Sequence, residues 1–356
     1  MVQFIIVLIL VFLENLSNLK RVFDFLNILV SLLIAKDETC YNKFFSHRFH
    51  VQVVLSHSNL DKNVWMGRIS DSRKLCQVLI PGTHNSGAYG ILFGLGQTQD
   101  WSIKEQLENG VRFLDIRLAR NLSPNDFEVV HGFIKLGSFK KFILSPVTKF
   151  LTDNPSEVIL MRIKTYGFDF DAEARLERDF MMNLEYRFYQ KIVNSNTSIS
   201  QVRGKIVLLK KHHKAFKKKI GLEWPLNNNV QDKYQIEVKS YDLQMLGTTY
   251  RISCPFIFGI DIKKKSDAIL KHFNQSARHY GSGFYINFAS GSYYGLFIWR
   301  IASVTNKVVL DYFKTNSHRN IGSIVVIDYP NRIPGLVETL IEYNFYSNFN
   351  ANDKIA

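Results

Sequence analysis

The stretch LIPGTHNSG, residues 79–87, runs from an apolar segment into a corner of small polar residues that carries one imidazole, His84. A second imidazole, His131, closes another apolar run, FEVVHG (127–132). Imidazoles exchange protons near neutral pH. Two of them on opposite sides of a phosphoryl group make a general base and a general acid: one takes the proton of an attacking hydroxyl, the other gives one to the leaving oxygen. Asp115 and Arg117 stand two apart in VRFLDIR (111–117), so on a strand both point to one face. A guanidinium there can grip a phosphate with two N–H groups and offset the charge that gathers on it in the transition state. Asp328, in SIVVIDY (323–329), is available to orient one histidine. Singly, each residue reads equally well as a salt bridge or a solvated charge. Gathered at one place, they read as a site.

The elements that would gather them are eight short apolar runs: CQVLIPG (76–82), VRFLDIR (111–117), FEVVHG (127–132), EVILMRIK (157–164), KIVLLKK (205–211), VQDKYQI (230–236), GFYINFAS (283–290) and SIVVIDY (323–329). Short, β-branched and nearly continuous in apolar residues, they read as buried parallel strands. Helical patterns lie between them, including WSIKEQLENG (101–110), FKKFILSPVTKFLTDN (139–154) and GLVETLIEYN (335–344), with Asn109-Gly110 and Asn154-Pro155 at helix ends. The pattern predicts an α/β fold, a (β/α)8 TIM-type barrel forming a single catalytic domain over 61–350. It is expected to be irregular, because the second and third runs are joined by only about ten residues. Barrels carry their chemistry at the C-terminal strand ends. Every run but the seventh delivers an ionisable group there: His84, Asp115 with Arg117, His131, Lys164, Lys211, Asp232 and Asp328.

The chain has 356 residues, 46% hydrophobic, with 20 Gly and 8 Pro, the composition of an ordered domain rather than a disordered one. Lys and Arg number 45 against 31 acidic residues, a net charge of +14, which suits nucleic acid, an anionic membrane surface or a phosphorylated substrate. No nucleic-acid motif or stacking platform accompanies that charge, so no nucleic-acid partner is expected. Three cysteines, Cys40, Cys76 and Cys254, form neither a CxxC pair nor a metal spacing. Residues 1–60 stand apart. FIIVLILVFL (4–13) is too short to span a bilayer but suits the apolar core of a secretory signal, and FDFLNILVSLLIA (23–35) follows after charged residues. A targeting or anchor segment without assigned fold is expected there, and with it a secreted or membrane-associated protein.

From about Trp65 to Asn344 the chain resembles the bacterial-type phosphatidylinositol-specific phospholipases C and the wider family of X-domain proteins. The resemblance is carried by IPGTHNSG, TQDWSIKEQLENGVRFLDIR, VVHG, LTDNPSEVILMRIK, RGKIVLLKK, VQDKY, YINF and VVIDY. It implies that His84 is the base for the inositol 2-hydroxyl, Asp328 its carboxylate partner, His131 the acid for the diacylglycerol oxygen, and Arg117 the support for the pentacoordinate phosphorus, with Asp115 nearby. Lys164, Lys211, Asp232 and Tyr234 fall where the family holds the inositol ring. The implied substrate is inositol phospholipid in a membrane surface, or its glycosylated anchor form, cleaved to diacylglycerol and inositol 1,2-cyclic phosphate by a monomer without cofactor.

Two departures qualify this. Bacterial members carry HDS where this chain has His84-Asn85-Ser86. An amide cannot supply the negative charge that raises an imidazole's proton affinity, and losing it lowers the rate by roughly one or two orders of magnitude. A weakened or inactive inositol-lipid-binding module is therefore the alternative reading. Lys211 stands where arginine is usual, keeping charge but not the fork. In the family's calcium-dependent branch Asn85 is a ligand, with carboxylates at the positions of Asp115, Arg117 and Lys164. Two of those positions carry cations here, so metal-independent chemistry is expected. The rim loops GILFGLG (90–96) and YYGLFIW (293–299), with Tyr293 or Trp299 at headgroup level, and the basic run KKHHKAFKKK (210–219) would meet the bilayer.

Overall fold

The structure, a computed structural model, describes residues 60–91, 96–120, 126–167, 176, 187–210, 220–224, 236–240, 243–246, 258–291, 298–317 and 319–346. The expected targeting segment, apart from Leu60, lies outside the described residues, as do Lys211, Asp232, Tyr234, Tyr293 and most of the basic run.

Among the described residues eleven strands form one sheet: β1 (Ile80–Thr83), β2 (Phe113–Arg120), β3 (Phe127–His131), β4 (Ile134–Ser138), β5 (Ile159–Tyr166), β6 (Ile206–Lys210), β7 (Leu222–Glu223), β8 (Ile236–Ser240), β9 (Leu243–Leu246), β10 (Phe284–Phe288) and β11 (Ile324–Ile327). The spatial order β7-β6-β5-β2-β1-β11-β10-β9 is parallel throughout, and β8 runs antiparallel to β9 at the edge. Pairing of the first strand with the last, Ile80 opposite Ile324, folds the sheet round as a barrel requires. The helices α1 (Ile103–Glu108), α2 (Ser145–Asp153), α3 (Ile199–Val202), α4 (Phe258–Arg278), α5 (Ile298–Thr315) and α6 (Leu336–Tyr346) complete the expected α/β barrel.

Its irregularity corrects the sequence reading at one run. FEVVHG does not form a parallel barrel strand. With β4 it makes an antiparallel hairpin on β2, Leu118 opposite Val129. A parallel return needs a crossover of roughly a dozen residues or more, and this link is shorter. Its place in the barrel goes to β5, and β7 takes the place after β6.

Strand residues alternate between two cores. Ile80, Phe113, Leu160, Phe288 and Val326 fill the interior. Leu114, Ile116 and Met161 pack outward on Ile103 and Phe150, and Val325 and Ile327 on Phe273, Phe313 and Leu340. Both strand faces are buried, which is why the runs read as continuously apolar. Beneath them Arg112 and Glu157 form a fully buried pair at 2.8 Å, with Arg112 also donating to the carbonyls of Lys62, Asn63, Leu107 and Val111. Breaking such a pair strands the remaining charge. Glu157→Gln is expected to lower stability by about 3–5 kcal/mol, measured by denaturant unfolding. A loss below about 1 kcal/mol would contradict this account of the pair.

Candidate active site

The corner after β1 is built by its sequence. Gly82 lets β1 lie close on β2, since a Cβ there would come within 2.9 Å of Phe113 Cβ. Asn85 takes the left-handed conformation at φ 43°, which asparagine accepts more readily than most residues. Between them His84 is fixed through its backbone: its N–H donates to the Ile327 carbonyl at 3.0 Å, and its own carbonyl accepts from Gln99 Nε2 at 2.8 Å. The buried ring then meets Asp328 Oδ1 through Nδ1 at 2.9 Å and Arg117 Nη2 through Nε2 at 3.0 Å. A guanidinium only donates, so Nε2 is the acceptor and Nδ1 carries the proton given to Asp328. This is the tautomer a general base needs, with its open nitrogen facing the site. The Phe288 ring supports the imidazole edge-on at 6.3 Å. Burial pushes the Asp328 carboxyl above its usual pKa, against the pull of His84 and Arg117.

The floor comes from β2 and β5, where Asp115 lies opposite Arg162 and Arg117 opposite Lys164. Arg117 Nη1 donates to the Tyr166 hydroxyl at 3.0 Å, and Nη2 lies 3.7 Å from Asp115 Oδ2. Buried Asp115 accepts from Arg162 Nη1 at 2.9 Å and from the Asn85 backbone N–H at 3.1 Å. Burial opposes its ionisation, but Arg162 and then Arg117 outweigh that and hold its carboxyl well below the usual range. Arg162 lies over the Trp224 ring at 4.2 Å. Sequence reasoning missed Arg162 and Tyr166. Both sit two residues from Lys164 on one strand, so the period of two could have found them. Behind the site Lys265 of α4 donates to the Phe288 carbonyl at 2.6 Å, burial pulling its ammonium down to about 7 against the attraction of Asp328.

These donors do not fit a calcium ion, which takes roughly six to eight oxygens. Asp115 is engaged by two cations and a backbone N–H, and the Asn85 amide faces His131.

His131 ends β3 with Nδ1 2.5 Å from the Gly96 carbonyl and Nε2 2.9 Å from Asn85 Nδ2. The carbonyl only accepts, so Nδ1 carries the proton and Nε2 receives the amide N–H. Burial, then the charges of Arg117 and His84, bring its pKa down to about 4. An acid catalyst must hold a proton at Nε2, and a phosphodiester anion beside it would favour that form. The Asn85 Oδ1, buried and without a hydrogen-bond partner, can accept the proton-bearing Nε2 once the amide turns, but it adds no charge. Asn85→Asp supplies that charge. It is expected to raise the His131 pKa, extend the protonated form to higher pH and increase kcat near pH 7 about tenfold. The check is a pH–rate profile, whose alkaline limb should move up; an unmoved limb would contradict this role.

Lys164 is exposed, its ammonium 4.9 Å from the Tyr166 ring centre. Phe133, unremarked in the sequence, stands 81% exposed between β3 and β4, two residues beyond His131. Trp299, at the start of α5, is 49% exposed, with Arg300 over its ring at 5.4 Å.

Residues 72–212 match the family described as phosphatidylinositol-specific phospholipase C, X domain. The chain is 31% identical over 208 residues to a 1-phosphatidylinositol phosphodiesterase of Listeria monocytogenes, covering 53% of this chain and 63% of that protein. It is 28% identical over 221 residues to one of Staphylococcus aureus, covering 53% of this chain and 69% of the relative. The alignment thus spans less than two thirds of the Listeria protein. Among solved structures, the phosphatidylinositol-specific phospholipase C of Listeria monocytogenes superposes with a TM-score of 0.64 at 23% identity, over 80% of this chain and 98% of that one. One from S. aureus gives 0.67 at 24%, over the same shares. At that identity the structures establish the shared fold.

Proposed function

We propose that this chain, whose residues 72–212 match the phosphatidylinositol-specific phospholipase C X domain, is a phosphodiesterase cleaving inositol phospholipid, or its glycosylated anchor form, to diacylglycerol and inositol 1,2-cyclic phosphate. The observation that carries this is the line Asp328–His84–Arg117, with contacts of 2.9 and 3.0 Å, facing an imidazole that feels the charge of both His84 and Arg117. The inositol 2-hydroxyl gives its proton to His84 Nε2 while its oxygen attacks phosphorus. Arg117 turns its N–H groups to the non-bridging oxygens. His131 Nε2 protonates the diacylglycerol oxygen as the P–O bond breaks. One proton enters at His84 and one leaves from His131, so the step balances. The nucleophile lies on the substrate itself, and its approach entropy is already spent.

Lys164, Lys211, Asp232 and Tyr234 hold the ring in this reading. Arg117 and Lys164 supply the positive charge a calcium ion supplies in related enzymes, and the reaction proceeds without metal. The barrel over 61–350 works as a monomer, and the segment 1–60 directs it to secretion or to a membrane. Among the described residues no helix is long and apolar enough to cross a membrane.

Diacylglycerol release from phosphatidylinositol vesicles with chelator present tests the reading. Activity lost with chelator contradicts the metal-independent step. Silence under every condition favours the binding-module alternative, which Asn85 and the low His131 pKa support. Phe133 reaches toward the bilayer, and burying a phenylalanine contributes about 1.5–3 kcal/mol. Phe133→Ser is expected to lower vesicle turnover about tenfold or more and to leave hydrolysis of soluble cyclic phosphate unchanged. Equal loss on both substrates would contradict that placement.

A further inference from the structure

One segment, residues 96–100, touches both histidines. The Gly96 carbonyl accepts from His131 Nδ1, Thr98 Oγ1 donates to the Asn85 carbonyl at 3.0 Å, and Gln99 Nε2 donates to the His84 carbonyl at 2.8 Å. Its far end is tied to the loop that follows Asp328. Asp100 accepts from Arg332 Nε at 2.7 Å and Nη2 at 2.8 Å, from Asn331 Nδ2 at 3.0 Å and from Gln97 Nε2 at 3.2 Å. Tyr329, left-handed at φ 48°, donates its hydroxyl to the Gln97 carbonyl and its backbone N–H to the Thr98 carbonyl at 2.9 Å. The Arg332 guanidinium covers the Tyr329 ring at 4.1 Å. Exposed ion pairs usually contribute little to stability, and Arg332 and Asp100 lie outside the barrel's apolar cores. A two-pronged fork on a four-donor carboxylate instead fixes geometry.

We propose that Asp100 and Arg332 are positioning residues: their ion pair pins segment 96–100 to the Asp328 loop, and so sets where the Gly96 carbonyl holds His131 relative to His84. The Gly96 contact favours the protonated form of His131. Loosening the pair therefore moves the acid and changes its proton affinity, while His84, which loses at most its Gln99 contact, is still held by Asp328 at 2.9 Å and by the Ile327 carbonyl at 3.0 Å and moves less.

The effect on rate rests on the proposed function; the placement of His131 does not, so the test reads the imidazole directly. The full chain is labelled with 15N-histidine, and His131 is assigned by His131→Gln. Asp100→Asn and Arg332→Gln are each expected to move the low-field His131 Nδ1 proton upfield and to lower the His131 titration midpoint by on the order of half a pH unit, with smaller shifts of the His84 signals. Arg332→Lys, keeping charge without the fork, should fall between. The reversed pair, Asp100→Arg with Arg332→Asp, should restore the wild-type proton signal. In enzyme releasing diacylglycerol, kcat should fall about tenfold with KM nearly constant. Unchanged His131 signals in folded Asp100→Asn and Arg332→Gln would overturn the proposal, as would His84 signals moving as far as those of His131. A wild type without activity, but with these shifts present, would refute the phosphodiesterase reading and leave the latch standing.

Discussion

Replacing His84 with alanine is expected to lower kcat on phosphatidylinositol by about 10⁴-fold while the protein stays folded. The ring's only polar side-chain contacts are at 2.9 Å to Asp328 and 3.0 Å to Arg117 among the described residues, so its loss removes the proton acceptor without opening the barrel core. Asp328, whose second oxygen is buried without a partner, then loses its donor too. Its carboxyl, already pushed up by burial, takes a proton instead of remaining a stranded charge. The variant should therefore keep its circular dichroism spectrum and melt cooperatively at a somewhat lower temperature. A near-normal turnover rate would remove His84 from the mechanism.

Arg117→Gln is expected to cost about 10³-fold in kcat, and it carries a second signature. Arg117 is among the charges that hold His131 at about 4. With that cation gone the protonated imidazole is less disfavoured, so the midpoint should rise above the wild-type value. A rate loss with a raised His131 midpoint identifies charge stabilisation by Arg117. A rate loss with the midpoint fixed would mean that Arg117 acts through packing. Arg117→Lys keeps the charge and loses the fork that meets His84 and Tyr166. It should leave the midpoint near 4 while still slowing the reaction.

Continuous apolar runs announce strands buried on both faces, and the chemistry of such barrels sits at their C-terminal ends. That logic was enough to place His84, Asp115, Arg117 and Asp328 together, and the structure seats all four at one rim. It failed at His131, where a run of the same composition turns back as a hairpin because its link is too short for a crossover. The residue still reaches the site, carried by β3 on β2 rather than by a barrel strand. Arg162 lies one strand period before Lys164, inside an apolar run, so its place beside Asp115 shows only in the pairing of β5 with β2. The Asp100–Arg332 pair leaves no local signal at all. Its members lie 232 residues apart, Asp100 before α1 and Arg332 at the end of a short 3-10 turn, in polar segments without strand or α-helical periodicity, and only the closing of β1 on β11 brings them together. The low pKa of His131 depends likewise on burial and on charges from other elements.

In the proposed reaction the imidazole at residue 84 takes the proton of a hydroxyl that belongs to the substrate. Phosphorus NMR of the water-soluble product from phosphatidylinositol vesicles tests this directly. A five-membered cyclic phosphate resonance appearing first, absent with His84→Ala, is the predicted result. Inositol 1-phosphate as the first product, with no cyclic species at early times, would mean that water attacks phosphorus and would contradict it.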